Sequence, residues 1–329
     1  MEVIFYEQKK RKGRKTGLFI FLCIVVFIVS FAGSVIFKMT YISPEMKKYS
    51  VVWSDKVGQV YTDLVYGEQE ANKFDLYVPA DSTKETYGLV VYLHAGGFTT
   101  GDKADDKEML QWLCSKGYVA AGINYTLRDS AHPEASVYSQ SEEIKSSIPF
   151  VVEEARKLGY NINRMAISGG SAGGCLALLY AYRDAGTSPV PVKMVFEAVG
   201  PASFYAEDWT PYGLDKDPEA AAGLFGLMAG KEITPEMLGT AEYEEVIKDI
   251  SAYMWVNENT VPTVCAYGVY DKVCPFDSSR HLTKALEENG VIYDYIEFPH
   301  SGHALQNDDK CYVQYMSKVE EYLHIYMSE

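Results

Sequence analysis

A serine set among glycines is the residue best placed in this sequence to do chemistry. Residues 169–174 read Gly-Gly-Ser-Ala-Gly-Gly, and the spacing Gly-x-Ser-x-Gly is typical of a sharp turn from a strand into a helix. Side chains two residues from the serine would collide with neighbouring backbone in such a turn, so only glycine fits there. The first amides of the following helix favour a developing negative charge. The pattern predicts that Ser171 is a nucleophile, against the alternative of a glycine-rich turn with an idle serine.

A serine hydroxyl is a poor nucleophile at neutral pH, so it needs a base and an acid that orients the base. Where such a serine lies at the end of a sheet strand, the chain order is serine, acid, histidine. Asp271 follows the predicted strand 263–267, and His303 follows the last predicted strand. Both lie just past the carboxyl end of a strand, at the sheet edge that presents Ser171. The sequence therefore predicts a triad of Ser171, Asp271 and His303.

Other residues compete for the roles of base and acid. His300 is a rival base, but Gly302 gives His303 the flexible approach that such a loop needs, so His303 is preferred. Asp277 begins a predicted helix and Asp294 lies inside a strand, which makes them weaker acids. The two histidines could also be metal ligands, yet no carboxylate or cysteine pair at ligand spacing accompanies them. We predict neither a metal site nor a cofactor.

Backbone donors for the oxyanion are expected in the loop after the predicted strand 89–93. This loop reads His-Ala-Gly-Gly-Phe, and its glycines let the backbone approach a substrate carbonyl. The N–H groups of Gly96, Gly97 and Ala172 are predicted to form the oxyanion hole. Paired glycines alone often only make a turn. His94 is expected to be a structural histidine that hydrogen-bonds within the loop.

Strands and helices alternate along the chain, as the positioning of these loops requires. The predicted strands are 57–65, 73–78, 89–93, 119–123, 165–168, 192–199, 263–267 and 291–298. The predicted helices are 105–116, 139–158, 175–180, 277–289 and 308–326. The first two strands are expected to pair like a hairpin. The continuous apolar runs and the alternation predict an α/β domain with a mostly parallel sheet covered on both faces.

Residues 201–259 separate two predicted strands by far more chain than a crossover needs. Short helices are predicted at 234–238 and 241–250. The insertion would lie above the strand ends, where ligands bind in such sheets, or it is a decorated crossover with no substrate role. Aromatic side chains can line a pocket there, although most aromatic residues are ordinary packing residues. The pocket candidates are Phe98, Tyr205, Trp209 and Tyr212.

The first part of the chain has the pattern of a membrane anchor. Residues 17–37 carry no charge, and about 20 apolar residues span a bilayer. Residues 1–16 form a basic tail, which the positive-inside rule places in the cytoplasm, with the rest of the chain outside. A cleavable signal peptide, with small residues at Ser30 and Ala32, is the alternative. We expect residues 38–56 to be a polar tether and residues 57–329 to be an extracytoplasmic domain.

Charge and cysteine content limit the partners and the covalent links. Residues 39–329 carry 23 basic and 43 acidic side chains, so this body should repel nucleic acid and anionic lipid, and no nucleic-acid partner is predicted. Membrane contact is expected through residues 17–37 only, and nothing indicates an oligomeric state. Five of the six cysteines follow the apolar segment. We expect mostly buried free thiols, with a Cys265–Cys274 bridge left open.

Several stretches of residues 57–329 resemble the α/β-hydrolase fold and, within it, the esterases and lipases related to hormone-sensitive lipase. These stretches are Phe74 to Pro79, His94 to Phe98, Gly101 to Lys103, Asn163 to Ala166, Gly169 to Gly174, Asp271 to Pro275 and Gly302-His303. The resemblance implies the same triad and the same three oxyanion donors. Two positions depart from the group's pattern: Ala95 replaces the first glycine of His-Gly-Gly-Gly, and residues 124–127 read Asn-Tyr-Thr-Leu in place of Asp-Tyr-Arg-Leu.

The predicted function is hydrolysis of a small-molecule carboxylic ester through an acyl-enzyme. A small glycine-lined approach favours short acyl chains, and an extracytoplasmic site favours acetyl groups such as those on carbohydrates. A peptidase or amidase with the same triad is the alternative, although prolyl peptidases of this fold usually carry a large N-terminal domain that residues 39–56 cannot hold. A binding module on a silent scaffold would lack a triad member, and none is missing.

Overall fold

The continuous apolar runs of the sequence form the centre of an eight-stranded sheet. The computed structural model describes residue 30 and residues 46–328. Its strands are β1 (Gly58–Val65), β2 (Lys73–Pro79), β3 (Tyr87–Leu93), β4 (Val119–Ile123), β5 (Ile162–Gly170), β6 (Val192–Ala198), β7 (Thr263–Gly268) and β8 (Tyr293–Phe298). The spatial order is β1-β2-β4-β3-β5-β6-β7-β8. Strand β2 pairs antiparallel with β1 and β4, and all other neighbours are parallel, which confirms the predicted α/β-hydrolase architecture.

Helices cover both faces of this sheet because every central strand is apolar on both sides. The α-helices of the described residues are α1 (Lys107–Ser115), α2 (Val137–Lys157), α3 (Ala172–Leu179), α4 (Pro218–Ala229), α5 (Ala241–Lys248), α6 (Ser278–Glu288) and α7 (Asp309–Met327). Val90 of β3 packs into the core under α1 and α7, whereas Leu89 and Val91 pack into the core shared with α2 and α3. The carboxyl ends of the parallel strands therefore meet at one edge between the two layers.

The bounds of the strands and helices show which of them the sequence patterns predicted and which they did not. Strand β4 has the predicted bounds, because five consecutive small apolar residues allow little else. Helix α4 in the insertion was not among the predicted helices, because its Ala- and Gly-rich sequence carries no apolar stripe. The helix predicted at 234–238 is a single 3₁₀ turn, Pro235–Met237. Helix α3 continues into a π-helical turn, Tyr180–Asp184, before the chain turns to β6.

The compact unit that holds the sheet begins at Tyr49, earlier than the predicted start at residue 57. Tyr49 is buried and meets the ring of Trp112 edge-on at 5.8 Å, and Trp53 meets Tyr77 at 5.6 Å. The last part of the predicted tether of residues 38–56 therefore belongs to the domain, because its aromatic side chains have apolar partners there.

The predicted basic tail and the apolar segment 17–37 lie outside the described residues, residue 30 excepted. Among the helices that are described, none combines the length and the apolar character that crossing a membrane requires. The five cysteines of the described chain are free thiols, four of them buried, so Cys265 and Cys274 form no bridge.

Candidate active site

Ser171 lies at the tip of the turn between β5 and α3 in a strained backbone conformation. Its φ of 52° and ψ of −120° fall in a region that L-residues rarely adopt. Hydrogen bonds fix this geometry, since the Ser171 N–H donates to the Ala198 carbonyl at 2.8 Å and the Ser171 carbonyl accepts from Cys175 N–H at 3.0 Å. A Cβ on Gly173 would overlap the carbonyl oxygen of Leu93. The glycine is therefore required where α3 packs against the end of β3.

His303 and Asp271 complete a continuous hydrogen-bonded line with this serine. His303 Nε2 lies 2.8 Å from Ser171 Oγ, and His303 Nδ1 lies 2.7 Å from Asp271 Oδ2. The carboxylate can only accept, so Nδ1 carries the proton and Nε2 is the acceptor for the serine hydroxyl. The other carboxylate oxygen, Asp271 Oδ1, accepts the N–H groups of Val273 at 2.8 Å and Cys274 at 3.0 Å. The Asp271 side chain is 1% exposed and the His303 side chain 24%, so the base faces an opening while its acid is buried.

The rival residues are bound elsewhere. The His300 side chain is 76% exposed, and its Nδ1 lies 2.8 Å from Asp308 Oδ1. Asp277 pairs with Arg280 at 3.2 Å on α6, and Asp294 pairs with Lys318 at 3.4 Å. The structure thus brings the three preferred residues together, and their catalytic roles stay a prediction.

The predicted oxyanion loop has the backbone that its glycines allow. Gly96 and Gly97 have φ values of +129° and +59°, and Phe98 follows at +67°. A Cβ on Gly96 would overlap the carbonyl oxygen of Thr100, whose N–H donates back to Gly96 O at 3.0 Å. Ala172 is the first residue of α3, where an N–H has no partner within the helix. The start of this loop touches the serine turn, since a Cβ on Gly173 would lie 2.7 Å from the His94 carbonyl oxygen, and the role of the three amides as donors stays a prediction.

Two residues that the sequence did not single out hold this loop in place. Gln140 on α2 is 1% exposed, and its Nε2 donates to Phe98 O at 2.9 Å and to Thr126 O at 2.8 Å. The Arg128 N–H donates to the same Phe98 carbonyl at 3.0 Å. These bonds stabilise Phe98 at a positive φ that only glycine adopts readily. A polar side chain on the buried stripe of α2 was the available signal for Gln140.

The departure at residue 124 has a structural reason. Asn124 Nδ2 donates to Asp102 Oδ2 at 2.7 Å, and Asn124 Oδ1 accepts from Lys103 N–H at 2.6 Å. An aspartate at this position would place a second carboxylate against Asp102 and could not donate. Lys103 itself forms ion pairs with Asp63 at 2.9 Å and Asp75 at 3.2 Å. The amide therefore bridges the Asp102 carboxylate and the Lys103 backbone, which a carboxylate at this position could not do.

His94 has the structural role expected of it. Its ring stacks on Tyr125 with centroids 4.3 Å apart, and Nδ1 lies 2.7 Å from the Ala95 carbonyl. Burial lowers its pKa, which keeps the ring neutral and the loop free of a positive charge.

A buried glutamate beneath the serine turn also escaped the sequence analysis. Glu197 on β6 is fully buried, and its Oε2 accepts the Gly200 N–H at 2.8 Å. Burial raises its pKa to about 8, so the protonated carboxyl is favoured at neutral pH. A Cβ on Gly200 would lie 2.7 Å from the carbonyl carbon of Gly174 in α3. The start of the insertion is thereby packed directly on the helix that carries the serine.

The pocket candidates occupy different environments. Trp209 is 4% exposed and packs on Phe204 and Phe225, each at 5.7 Å between centroids, so its ring lies in the interior of the insertion and not on a pocket wall. Large aromatic side chains contribute most to packing, which is why this position is buried. Tyr205 accepts a hydrogen bond from Tyr253 at 2.6 Å and donates to an acidic side chain at 3.3 Å.

Tyr212 and Phe98 lie beside the loops that carry other predicted site residues. Tyr212 is 48% exposed, and its hydroxyl donates to Val273 O at 2.9 Å, in the loop that carries Asp271. Phe98 is buried and borders a cavity of about 120 Å³ together with Gly97.

Known proteins share this architecture. The model of the BD-FAE family matches residues 74–286. Esterase LipC of Mycobacterium tuberculosis is 23% identical over 256 residues, which cover 73% of this chain and 58% of that protein. The probable isoprenylcysteine alpha-carbonyl methylesterase ICME of Oryza sativa subsp. japonica is 29% identical over 119 residues, which cover 36% of this chain and 28% of that protein. The chain thus spans less than two thirds of the length of these relatives.

A solved structure extends the likeness over most of the chain. Esterase B from Lactobacillus rhamnosis has a TM-score of 0.64 and 18% identity, with 91% of this chain and 93% of that chain covered. Likeness at this identity shows a shared fold.

Proposed function

The chain belongs to the BD-FAE family, and on that premise we propose that it is a serine hydrolase that cleaves carboxylic esters through an acyl-enzyme on Ser171. The observation that carries the proposal is the unbroken line from Ser171 Oγ to His303 and Asp271, with distances of 2.8 and 2.7 Å. Hydrogen bonding in this order is what a nucleophilic serine needs.

The steps follow from this arrangement. Ser171 Oγ attacks the ester carbonyl while His303 Nε2 takes its proton. The backbone N–H groups of Gly96, Gly97 and Ala172 donate hydrogen bonds to the developing oxyanion. The carbon–oxygen bond to the alcohol then breaks, and the alcohol leaves with the proton from His303. Water, deprotonated by the same imidazole, attacks the acyl-enzyme and releases the carboxylic acid. Asp271 holds the ring and stabilises its charged form.

Short acyl groups, acetyl among them, are the proposed substrates, and we place the chain with the esterases related to hormone-sensitive lipase. The cavity of about 120 Å³ beside Gly97 supports a short chain, because it is small against the roughly 300–1,000 Å³ of typical ligand pockets. The basic tail followed by the uncharged residues 17–37 supports a catalytic domain anchored at the outer face of a membrane.

Labelling and a substrate series test the chemistry. Full-length protein is treated with a fluorophosphonate and analysed by peptide mass spectrometry, with Ser171→Ala as the control. We expect a label on Ser171 and faster turnover of 4-nitrophenyl acetate and butyrate than of the decanoate, by tenfold or more. Turnover of aminoacyl anilides in place of the esters would make the chain an amidase. An unlabelled Ser171 together with no ester turnover would refute the proposal.

Protease digestion of intact cells tests the location. With the full chain expressed, added protease should remove the domain and leave the basic tail, and protection of the domain would overturn the proposed topology.

A further inference from the structure

Arg128 is a half-buried arginine that lies against the predicted oxyanion loop. Its backbone N–H donates to Phe98 O at 3.0 Å, and its guanidinium Nη1 donates to Ala135 O at 2.8 Å. Arg183 and Arg280 contact acidic side chains at 2.6 and 3.2 Å. Across residues 46–328, no carboxylate forms such a pair with Arg128. Its remaining guanidinium donors are available to a partner that residues 46–328 do not supply.

A cavity and a groove meet at this side chain. The cavity of about 120 Å³ is lined mainly by apolar groups and touches Gly97 and Phe98 at its inner end. An open groove of about 450 Å³ runs along α4 outside it. Arg128 and Leu227 line both, so the guanidinium lies where the open groove meets the cavity that borders Gly97 of the predicted oxyanion loop.

The charged residues that line the groove differ from those that line the cavity. Glu134, Lys231 and Glu232 line the outer groove, and Lys231 is paired with Asp249 at 2.8 Å. None of these four lines the inner cavity, where Arg128 supplies the charge. A half-buried cation without a counter-ion is destabilised, and a planar guanidinium matches the geometry of a carboxylate. An anion in the cavity would therefore meet one positive charge and no negative one, whereas an anion in the groove would also meet two glutamates.

We propose that Arg128 is a specificity residue that selects esters in which a short apolar chain ends in a carboxylate. This inference rests on the proposed function, since it concerns the same Ser171 reaction. The cavity of about 120 Å³ holds the short apolar chain, and the guanidinium pairs with the terminal carboxylate. The carboxylate belongs to the acyl part or to the alcohol part of the ester, and the two arms of the experiment separate these sources.

The test compares charged esters with neutral esters of the same length by pH-stat titration. The acyl arm uses monoethyl glutarate against ethyl valerate, and the alcohol arm uses 4-acetoxybutanoate against butyl acetate. For each arm the selectivity is the ratio of kcat/KM for the charged ester to that for the neutral one. We expect Arg128→Gln to lower this ratio at least tenfold in one arm, and Arg128→Lys to restore part of it. The matched control Arg280→Gln, at a side chain 72% exposed on α6, leaves the ratio unchanged.

A purely structural role of Arg128 would lower both members of a pair and leave their ratio constant, which would overturn the inference while ester hydrolysis stood. Should Arg128→Gln fail to fold, the selectivity ratio of the wild-type protein is measured at increasing salt concentration. Selection by a charge falls as ionic strength rises, so this ratio should fall. A ratio that is insensitive to salt, with no inhibition by glutarate, also contradicts the inference. Absence of any Ser171-dependent ester turnover overturns the proposed function and the inference with it.

Discussion

Two histidine–aspartate pairs lie around the loop after β8 and have almost the same geometry. His303 Nδ1 lies 2.7 Å from Asp271, and His300 Nδ1 lies 2.8 Å from Asp308. The two histidines differ in the exposure of the ring and in the contact that Nε2 makes. His303 is 24% exposed with its Nε2 on Ser171 Oγ, whereas His300 is 76% exposed. A carboxylate on the imidazole is therefore not what distinguishes a base, because both rings have one.

The second pair holds the loop that carries the first. Asp308 is the residue just before α7, and its Oδ2 accepts the His300 N–H at 2.9 Å and the Ser301 hydroxyl at 2.6 Å. Ser301 Oγ in turn accepts the Asn307 N–H at 3.0 Å. These bonds close the turn that presents His303 to the serine. Proximity to a strained serine makes His303 the proposed base, whereas Asp308 ties His300 to the start of helix α7.

The largest expected effect separates the two histidines. His303→Gln should lower kcat for a short ester by about 10³-fold or more, because the serine loses its base. His300→Gln should lower kcat by less than about tenfold, since its contacts only shape the loop. Steady-state kinetics on both variants, with circular dichroism to verify folding, checks this. Equal losses in the two variants would contradict the division of roles.

Substitution of the two aspartates should affect different properties, the catalytic rate for Asp271 and the stability for Asp308. Asp271→Asn is expected to lower kcat by about 10³–10⁴-fold, because the amide favours the wrong tautomer of His303. Asp308→Asn should leave kcat within about tenfold but lower the free energy of unfolding by about 1–3 kcal/mol, since buried hydrogen bonds are lost. Urea unfolding of both variants measures the second effect. A stable Asp308→Asn protein without activity would place this pair in the chemistry.

The smallest expected effect is a change in thermal stability at low pH. Burial tends to raise the pKa of Asp308, but hydrogen bonds from Ser301 and His300 lower it below its usual value. A lowered folded-state pKa contributes stability above the unfolded value of about 3.9, and that stability is lost as the pH falls through the folded value. The difference in Tm between wild type and Asp308→Asn should therefore narrow as the pH falls from 6 to below 3. A difference that is constant over this range would contradict the assignment.

Sequence patterns went furthest where backbone geometry restricts the residue type. Gly173 can only be glycine because the Leu93 carbonyl lies where a Cβ would be, and this constraint pointed to Ser171. Chain order and strand ends then indicated Asp271 and His303, and the structure brings all three together. The sheet was equally predictable, since its strands are apolar on both faces.

Sequence patterns did not predict the features of the structure that tertiary contacts determine. Helix α4 buries one face, which holds Ala221, Ala222, Phe225 and Ala229, but its exposed positions include Gly223 and Leu227, so no polar face marks the helix in the sequence. Trp209 was a pocket candidate, yet neighbouring aromatic rings bury it. Gln140 and Arg128 hold the Phe98 loop from distant positions; the polar Gln140 on the buried stripe of α2 indicates a buried hydrogen bond but not its partner, and nothing in the local sequence marks Arg128.

The packing of Gly200 on Gly174 sets a limit on how this scaffold can be re-engineered. A foreign lid grafted in place of residues 201–259 must keep Glu197 and Gly200, because the junction itself rests on the helix behind the nucleophile. Recombination between relatives should therefore succeed at breakpoints after Gly200 and fail at breakpoints inside β6. The variable part of such chimeras would then tune selectivity while the reacting groups keep their alignment.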